Sequence, residues 1–384
     1  MGNEIHLDCI SSRKIRDSVN DEIMSKYEVF ANPLGNYRMG NKASEILRDS
    51  REKVANSLGL IDPEEIYFTS GPEESSNWAI KGMGWKIKNK NQKILYSESE
   101  SIRIKNPINW LKKQGYKSKP INILNENGIN LDLEDLKLKL DEDIAFVCIE
   151  NANSEIGYMN EISDISRLVR EYSPNTKIIC DLSTQIGRGE VNLESSEIDL
   201  GIIDSQSFGG PSGLGALYIK PGTRLENYIH GDHSEFGRRS GMQNISLISG
   251  MGVAAKEMAT NFEKEIAHIQ KLTQETNKIV KNTWEEYKIN TPQNQLTHGI
   301  FNFIPGSISS DILVQEMSKK GFAIAASNGC SAVNGLPSNI LKKIGLTDDE
   351  ALSSVRLSFD HNTEIKNVSK ALQILKDITE EKNA

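Results

Sequence analysis

The sequence has little cysteine: four residues in 384, at Cys9, Cys148, Cys180 and Cys330, with no C-x-x-C pair. That spacing excludes a disulfide framework and a zinc ribbon. Reduced thiols in a cytoplasmic protein are the reading that remains. No apolar run approaches the length that crosses a bilayer, so no membrane association is expected. The opening MGNEIHLDC lacks a basic stretch followed by an apolar one, and no secretory signal is read there. Positive charge is not in excess. The net charge is −8, which gives no general attraction to nucleic acid or anionic lipid. No internal repeat or low-complexity tract is present.

What is present is an ordinary soluble composition, 37% hydrophobic and 26% charged, in a chain long enough for a large α/β body with a second domain. Short apolar runs at residues 65–69, 93–96, 144–149 and 177–181 read as strands. The unbroken run at 144–149 suits a parallel strand buried on both faces. Helical periodicity lies between them, for example at residues 42–58 with Ala43, Ile46, Leu47, Val54 and Leu58 on one face. A helix is expected over residues 106–114 and a long one over 247–284. Alternating strands and helices predict a mostly parallel sheet, with polar residues gathered at the strand C-termini.

Residues 198–220, IDLGIIDSQSFGGPSGLGALYIK, organise the rest. An apolar strand leads to a polar elbow, then to a turn holding Gly209, Gly210, Gly213 and Gly215, then to a second strand. Glycine permits positive φ and close backbone approach, as a loop carrying chemistry requires. The elbow reads Asp204-Ser205-Gln206-Ser207 and contains no lysine, histidine or cysteine.

The stretch resembles the cofactor-lysine segment of the cysteine desulfurases, class V aminotransferase-like enzymes that use pyridoxal phosphate (PLP). The GPSGLGALY frame at 210–218 is kept. The resemblance extends to NSEIG at 153–157, to the segment 231–242 ending RRSGM, and to LSSVRLS at 352–358. It implies a fold type I PLP-transferase architecture: a large domain at residues 15–255 with a mostly parallel sheet, and a smaller α+β domain from residues 1–14 and 256–384. It also implies a two-fold dimer with segment 231–242 at the interface.

Carried over position by position, the resemblance puts the Schiff-base lysine on Ser207 and the histidine before it on Gln206. The phosphate-binding hydroxyl residues fall on Glu73 and Asp204, and the partner-reaching threonine on Met242. The ring-stacking histidine falls on Ser101, the contact to the cofactor hydroxyl on Ser154, and a glutamine on Thr184, one place before Gln185. Asp181 retains the aspartate that pairs with the pyridine nitrogen. Arg356 stands where the family clamps a substrate carboxylate; an arginine paired to a structural acid is the alternative. The nucleophilic cysteine position falls on Ala332, with Cys330 two residues early; Cys330 also reads as a small buried residue.

PLP catalysis needs an amine to hold the aldehyde, and serine cannot form an imine. Two carboxylates in a phosphate cup add repulsion of roughly 4 kcal/mol per like-charge pair at 4 Å in a medium of dielectric near 20. Three expectations follow. One is a desulfurase homologue without PLP-dependent activity, acting as scaffold or partner subunit in sulfur transfer or iron–sulfur assembly. It would form a homodimer, or a heterodimer with an active desulfurase. A second is an active desulfurase or other PLP enzyme with displaced residues. A third is a metal or cluster protein using Cys330 with Cys9, weak because no C-x-x-C supports it.

Overall fold

The computed structural model describes residues 4–87, 89, 91–125, 128–285, 287–292, 297–327 and 336–383. Its centre is a sheet of seven strands: β1 (Ile66–Thr69), β2 (Lys93–Ser97), β3 (Lys117–Ile121), β4 (Ile144–Glu150), β5 (Lys177–Asp181), β6 (Leu200–Asp204) and β7 (Gly215–Ile219). Their spatial order is β1-β7-β6-β5-β4-β2-β3. The run from β6 to β3 is parallel; β7 is antiparallel to both β6 and β1. The mostly parallel sheet expected from the sequence is therefore present, with one reversed strand produced by the glycine turn.

Strand alternation sorts the core into two layers. Along β4, Val147 and Ile149 join one apolar cluster, while Phe146 and Cys148 join the other. The first layer is covered by helix α1 (Arg38–Ser57) and by the long helix α4 (Ile245–Thr283), through Val54, Ala55, Met251, Ala254 and Ala255. The opposite layer is covered by α2 (Pro72–Lys86) and α3 (Ile102–Lys113), through Trp78, Ile80, Ile104, Ile108 and Leu111. Burial on both faces is what the unbroken apolar strand sequences require.

A separate apolar cluster contains Phe301, Phe303, Leu313, Phe322, Val355, Leu357 and Leu372, together with Leu7 and, from the far part of α4, Leu272 and Val280. It packs around a four-stranded sheet in which Ile300–Ile304 lies between Lys288–Ile289 and Val355–Ser358, with Ala325–Ala326 outside. The strand Ile5–His6 pairs in parallel with Phe322–Ala323.

One element differs from expectation in a way that matters. Helix α3 begins at Ile102, four residues before the expected start, and contains Pro107. Proline there removes only the bond to the Arg103 carbonyl, and burial of Ile104, Pro107, Ile108 and Leu111 holds the helix through it. The earlier start makes Ser101 the N-cap and puts Arg103 in the first turn.

Candidate functional site

The C-terminal ends of the parallel strands and the N-termini of α2 and α3 converge, as is usual for an open α/β sheet. Asp181 ends β5, Asp204 ends β6 and Glu150 ends β4. The glycine turn makes the convergence possible. Gly209 closes the 3-10 turn Ser205–Phe208 at φ +79°. A Cβ on Gly215 would lie 2.7 Å from the Ile203 carbonyl oxygen and 2.9 Å from the Gly71 Cα, so only glycine lets β7 start against the entry to α2.

Arg103 stands among the acids. Its Nη1 lies 3.5 Å from Asp181 Oδ2 and its Nε 3.4 Å from Glu73 Oε1. Glu73 is in the first turn of α2 and its side chain is 69% exposed; the Arg103 side chain is 26% exposed. Asp204 completes the group. Burial raises its pKa to about 6, the charges of Glu73 and Asp181 add to that, and the Gln206 N–H and Arg103 oppose it. Glu73, Asp181 and Asp204 thus share one electrostatic neighbourhood, and Arg103 is a cation within it. The sequence reading named the three acids and missed the arginine.

Ser207 is bound into the backbone. Its Oγ donates to the Ser183 carbonyl, and its own carbonyl accepts from Arg13 Nη1. Asp204 caps the 3-10 turn by accepting from the Gln206 N–H at 3.1 Å. The first residue of α2 is Pro72, which carries no N–H, so this helix start offers one donor fewer than usual. Glu74, one place beyond Glu73, accepts from the Ser70 N–H at 2.8 Å and takes both arms of Arg239, at 2.8 and 3.0 Å. These bonds hold its pKa below the ordinary value despite burial. Segment 231–242 is anchored by a buried acid the sequence reading also passed over. Glu235 takes both arms of Arg51, at 2.8 and 3.0 Å, the Phe68 N–H at 2.9 Å and the Gln243 amide at 3.0 Å. Met242, at the end of that segment, is 68% exposed.

In the strand Val355–Ser358, Arg356 donates to Asp8 Oδ1 at 2.6 Å, to Ser11 Oγ at 2.9 Å and to the Ser154 carbonyl at 3.1 Å. Arg356 is thus paired to an acid of the chain, while its Nε is buried without a hydrogen-bond partner among the described residues. Thr184 is half-buried in the turn after β5. Gln185 is buried and accepts from Thr297 Oγ1 at 2.7 Å. Ser101 stands at the N-cap position of α3, and its buried Oγ has no hydrogen-bond partner among the described residues.

A deeper layer of acid was not foreseen. Glu150 accepts from Tyr158 Oη at 2.9 Å and from the Asn153 amide at 3.0 Å, yet burial pushes its pKa up to about 7. Glu155 is likewise pushed up to about 7 by burial. Glu100 is raised well above the carboxylate range by burial, then by the charges of Glu150 and Asp181. Lys105, one turn beyond Ser101 on α3, donates to the Glu98 carbonyl at 2.7 Å; burial lowers its pKa. A polar residue ending the apolar run of β4 was the one available signal for Glu150.

Cys9 is buried, and burial together with the Asp360 charge pushes its thiol up to about 12. Among the described residues no group of three or more His, Cys, Asp and Glu side chains is arranged to hold a metal ion. Cys330 and Ala332 lie outside the described residues.

A family model, described as aminotransferase class-V, matches residues 5–371. The chain belongs to this family. Within it, the chain falls among the cysteine desulfurases. It is 31% identical over 381 residues to the cysteine desulfurase IscS of Neisseria meningitidis serogroup A, covering 97% of this chain and 91% of that protein. It is 29% identical over 382 residues to that of Dictyoglomus turgidum, covering 99% and 95%. Among solved structures, a NifS-like protein superposes with a TM-score of 0.91 at 26% identity, covering 98% of this chain and 99% of that one. An apo cysteine desulfurase from Thermococcus onnurineus NA1 has the same fold, with a TM-score of 0.86 at 20% identity, covering 98% and 95%. The family uses pyridoxal phosphate, and the fold-class expectation from the sequence holds. No helix among the described residues is long and apolar enough to cross a membrane.

Proposed function

We propose that this chain is a desulfurase-family protein without covalent PLP chemistry, acting in the cytoplasm as a binding or scaffold subunit in sulfur transfer or iron–sulfur assembly. One observation supports the reading: Ser207, on which the resemblance puts the lysine position, has its hydroxyl engaged with the Ser183 carbonyl. A phosphorylated aldehyde needs an amine for its carbonyl and an anion site for its phosphate. The residues present fit neither demand. Ser207 offers no amine, Pro72 no N–H, and Glu73 and Asp204 bring negative charge at the positions the resemblance gives to phosphate contacts. The Arg103 guanidinium, drawn to Asp181 and Glu73, stands between the two ends of such a site.

The proposed partner is a second copy of this chain or an active desulfurase, docked through segment 231–242. That segment is held in shape by Glu235 and exposes Phe236 and Met242, at 57% and 68%. A second reading, an active enzyme with displaced residues, is favoured by the near full-length similarity to proteins named cysteine desulfurase. The absorbance spectrum of protein purified from cells grown with pyridoxine decides between them. No aldimine band is the result expected; an aldimine band that is bleached by borohydride reverses the proposal.

A further inference from the structure

Charge is not spread evenly along the chain. Residues 75–122 carry eleven lysines and arginines against two glutamates, a net +9 in a chain whose total is −8, so the remaining residues total −17. This stretch forms the later turns of α2, strand β2, helix α3 and the edge strand β3. The outer surface of α2 and α3 gathers three aromatic rings. Trp85 stacks on Tyr228, with centroids 6.2 Å apart and planes 15° apart, and meets Trp110 edge to face at 6.4 Å. Lys81 Nζ lies 4.9 Å from the centre of the Trp110 ring and 5.5 Å from that of Tyr228. Trp85 and Trp110 remain 40% and 38% exposed. Two glycines of α2 build this shelf. A Cβ on Gly82 would lie 2.6 Å from the Glu226 carbonyl oxygen, and one on Gly84 would lie 2.8 Å from Leu111 Cδ2. Glycine weakens a helix interior; here it lets segment 225–228 and α3 close on α2. An open groove of about 570 Å³ continues the shelf along α3, lined by Asn106, Asn109, Trp110, Lys112 and Lys113. Lys81, Lys112 and Lys113 make no ion pair among the described residues.

We propose that this face docks an acidic segment of a partner protein, its carboxylates meeting Lys81, Lys112 and Lys113 and one apolar side chain seated in the groove beside Trp110. Charge complementarity selects the acid, because unpaired lysines on a stretch of net +9 steer and orient a negative partner. The rings select the apolar anchor, because rigid aromatic side chains within a polar rim supply most of the binding energy of an interface. Their arrangement favours protein over nucleic acid or membrane. Base stacking needs a free ring face, whereas Tyr228 covers Trp85, and Lys81 covers Trp110 and Tyr228. Rings packed on their neighbours in this way do not insert among lipids. The shelf uses the later turns of α2 and α3, while the cleft uses their first turns, so the inference stands whether or not the cleft takes PLP.

Selection from a displayed library of random peptides against the full chain tests this, with the Lys81→Glu, Lys112→Glu, Lys113→Glu variant as decoy. The peptides recovered should be rich in Asp and Glu around an aromatic or aliphatic residue. A synthetic peptide of that sequence, followed by fluorescence anisotropy, should bind the triple variant and Trp110→Ala each about tenfold more weakly than wild type. Its affinity should fall as salt rises. An oligouridine RNA and phosphatidylserine vesicles should bind wild type more weakly than the peptide does. An empty selection, peptides without acids, equal affinity for the triple variant, or tighter binding of the RNA or the vesicles overturns the proposal. If the triple variant does not fold, Lys112→Glu with Lys113→Glu serves, since both side chains are exposed. It should still cost about fivefold in affinity, and failure of that variant to fold overturns the role given to these lysines. Light scattering of the charge variant should give the wild-type mass; a different mass assigns the face to a second copy of this chain and overturns the partner. PLP titration reads only the cleft, so this inference and the proposed function fail separately.

Discussion

The guanidinium of Arg356 donates to Asp8 Oδ1 at 2.6 Å, and both side chains are largely buried. Asp8 precedes the half-buried opening loop, and Arg356 lies in the strand Val355–Ser358, so the pair joins the N-terminal segment to the small sheet. The chain thus takes up the two terminal nitrogens of this guanidinium, while its buried Nε has no hydrogen-bond partner among the described residues.

A double-mutant cycle tests that pairing. Asp8→Asn and Arg356→Gln should each destabilise the protein by about 2 kcal/mol, the cost of losing one charge-assisted buried bond. Together they should cost clearly less than the sum, with a coupling of about 1 kcal/mol or more in urea denaturation. Additive effects would free Arg356 for a ligand.

The buried acids set the pH dependence. Glu150 and Glu155 are pushed up to about 7 and Asp204 to about 6, each chiefly by burial. A carboxyl whose folded pKa is raised favours the fold while protonated. That stability is fully present below the unfolded value, near 4.5 for glutamate and 3.8 for aspartate, and is lost as pH rises through the folded value. The Tm should therefore rise as pH falls from 8 towards 5.5. Below the ordinary carboxylate range, groups such as Glu74 and Asp360, held low, should reverse the trend. Glu150→Gln should raise Tm at pH 8 and flatten the profile. An unchanged profile would place Glu150 outside this account.

Thiol labelling separates the cysteines. Cys9, Cys148 and Cys180 are buried with raised pKa values and should resist iodoacetamide in the native protein. If the protein accepts sulfur, incubation with an active desulfurase and cysteine should leave a persulfide on Cys330. The Cys330 thiolate would attack the outer sulfur of the donor persulfide and release the donor thiolate. Persulfide on Cys9 alone, or on no cysteine, would remove sulfur acceptance from the proposed function.

Light scattering at micromolar concentration should give twice the chain mass, or a complex with a desulfurase. Met242→Asp and Phe236→Asp should weaken it. A monomer with no partner recovered from cells would contradict the proposed docking segment.

Much of the fold was legible because the physics is local. The run at 144–149 is apolar throughout because β4 is covered on both faces, and the glycines at 209 and 215 mark where the backbone needs positive φ or close approach. The arginine of the cleft was hidden for two reasons. Pro107 reads as a helix boundary, although the helix runs through it. And Arg103 meets partners 30 residues before it and 78 after it, a relation that no sequence pattern expresses. The pairing of Asp8 with Arg356, 348 positions apart, was out of reach for the same reason. Glu150 ends β4 and Glu100 lies in the turn between β2 and α3, places where polar residues are ordinary, so the sequence marked Glu150 only as a polar residue closing an apolar run and gave no mark for Glu100.

The central claim is that this cleft excludes PLP by charge as well as by loss of the lysine. Absorbance titration with PLP of two variants tests it most directly. Ser207→Lys alone restores the amine but leaves Glu73, Asp204 and Arg103 in place, and should stay without an aldimine band at modest PLP concentration. Adding Glu73→Thr, Asp204→Ser and Arg103→Ala removes the two acids and the arginine beside them while keeping Asp181, and should produce the band. A stable aldimine in Ser207→Lys alone, or tight PLP binding by the wild-type protein, would contradict the account.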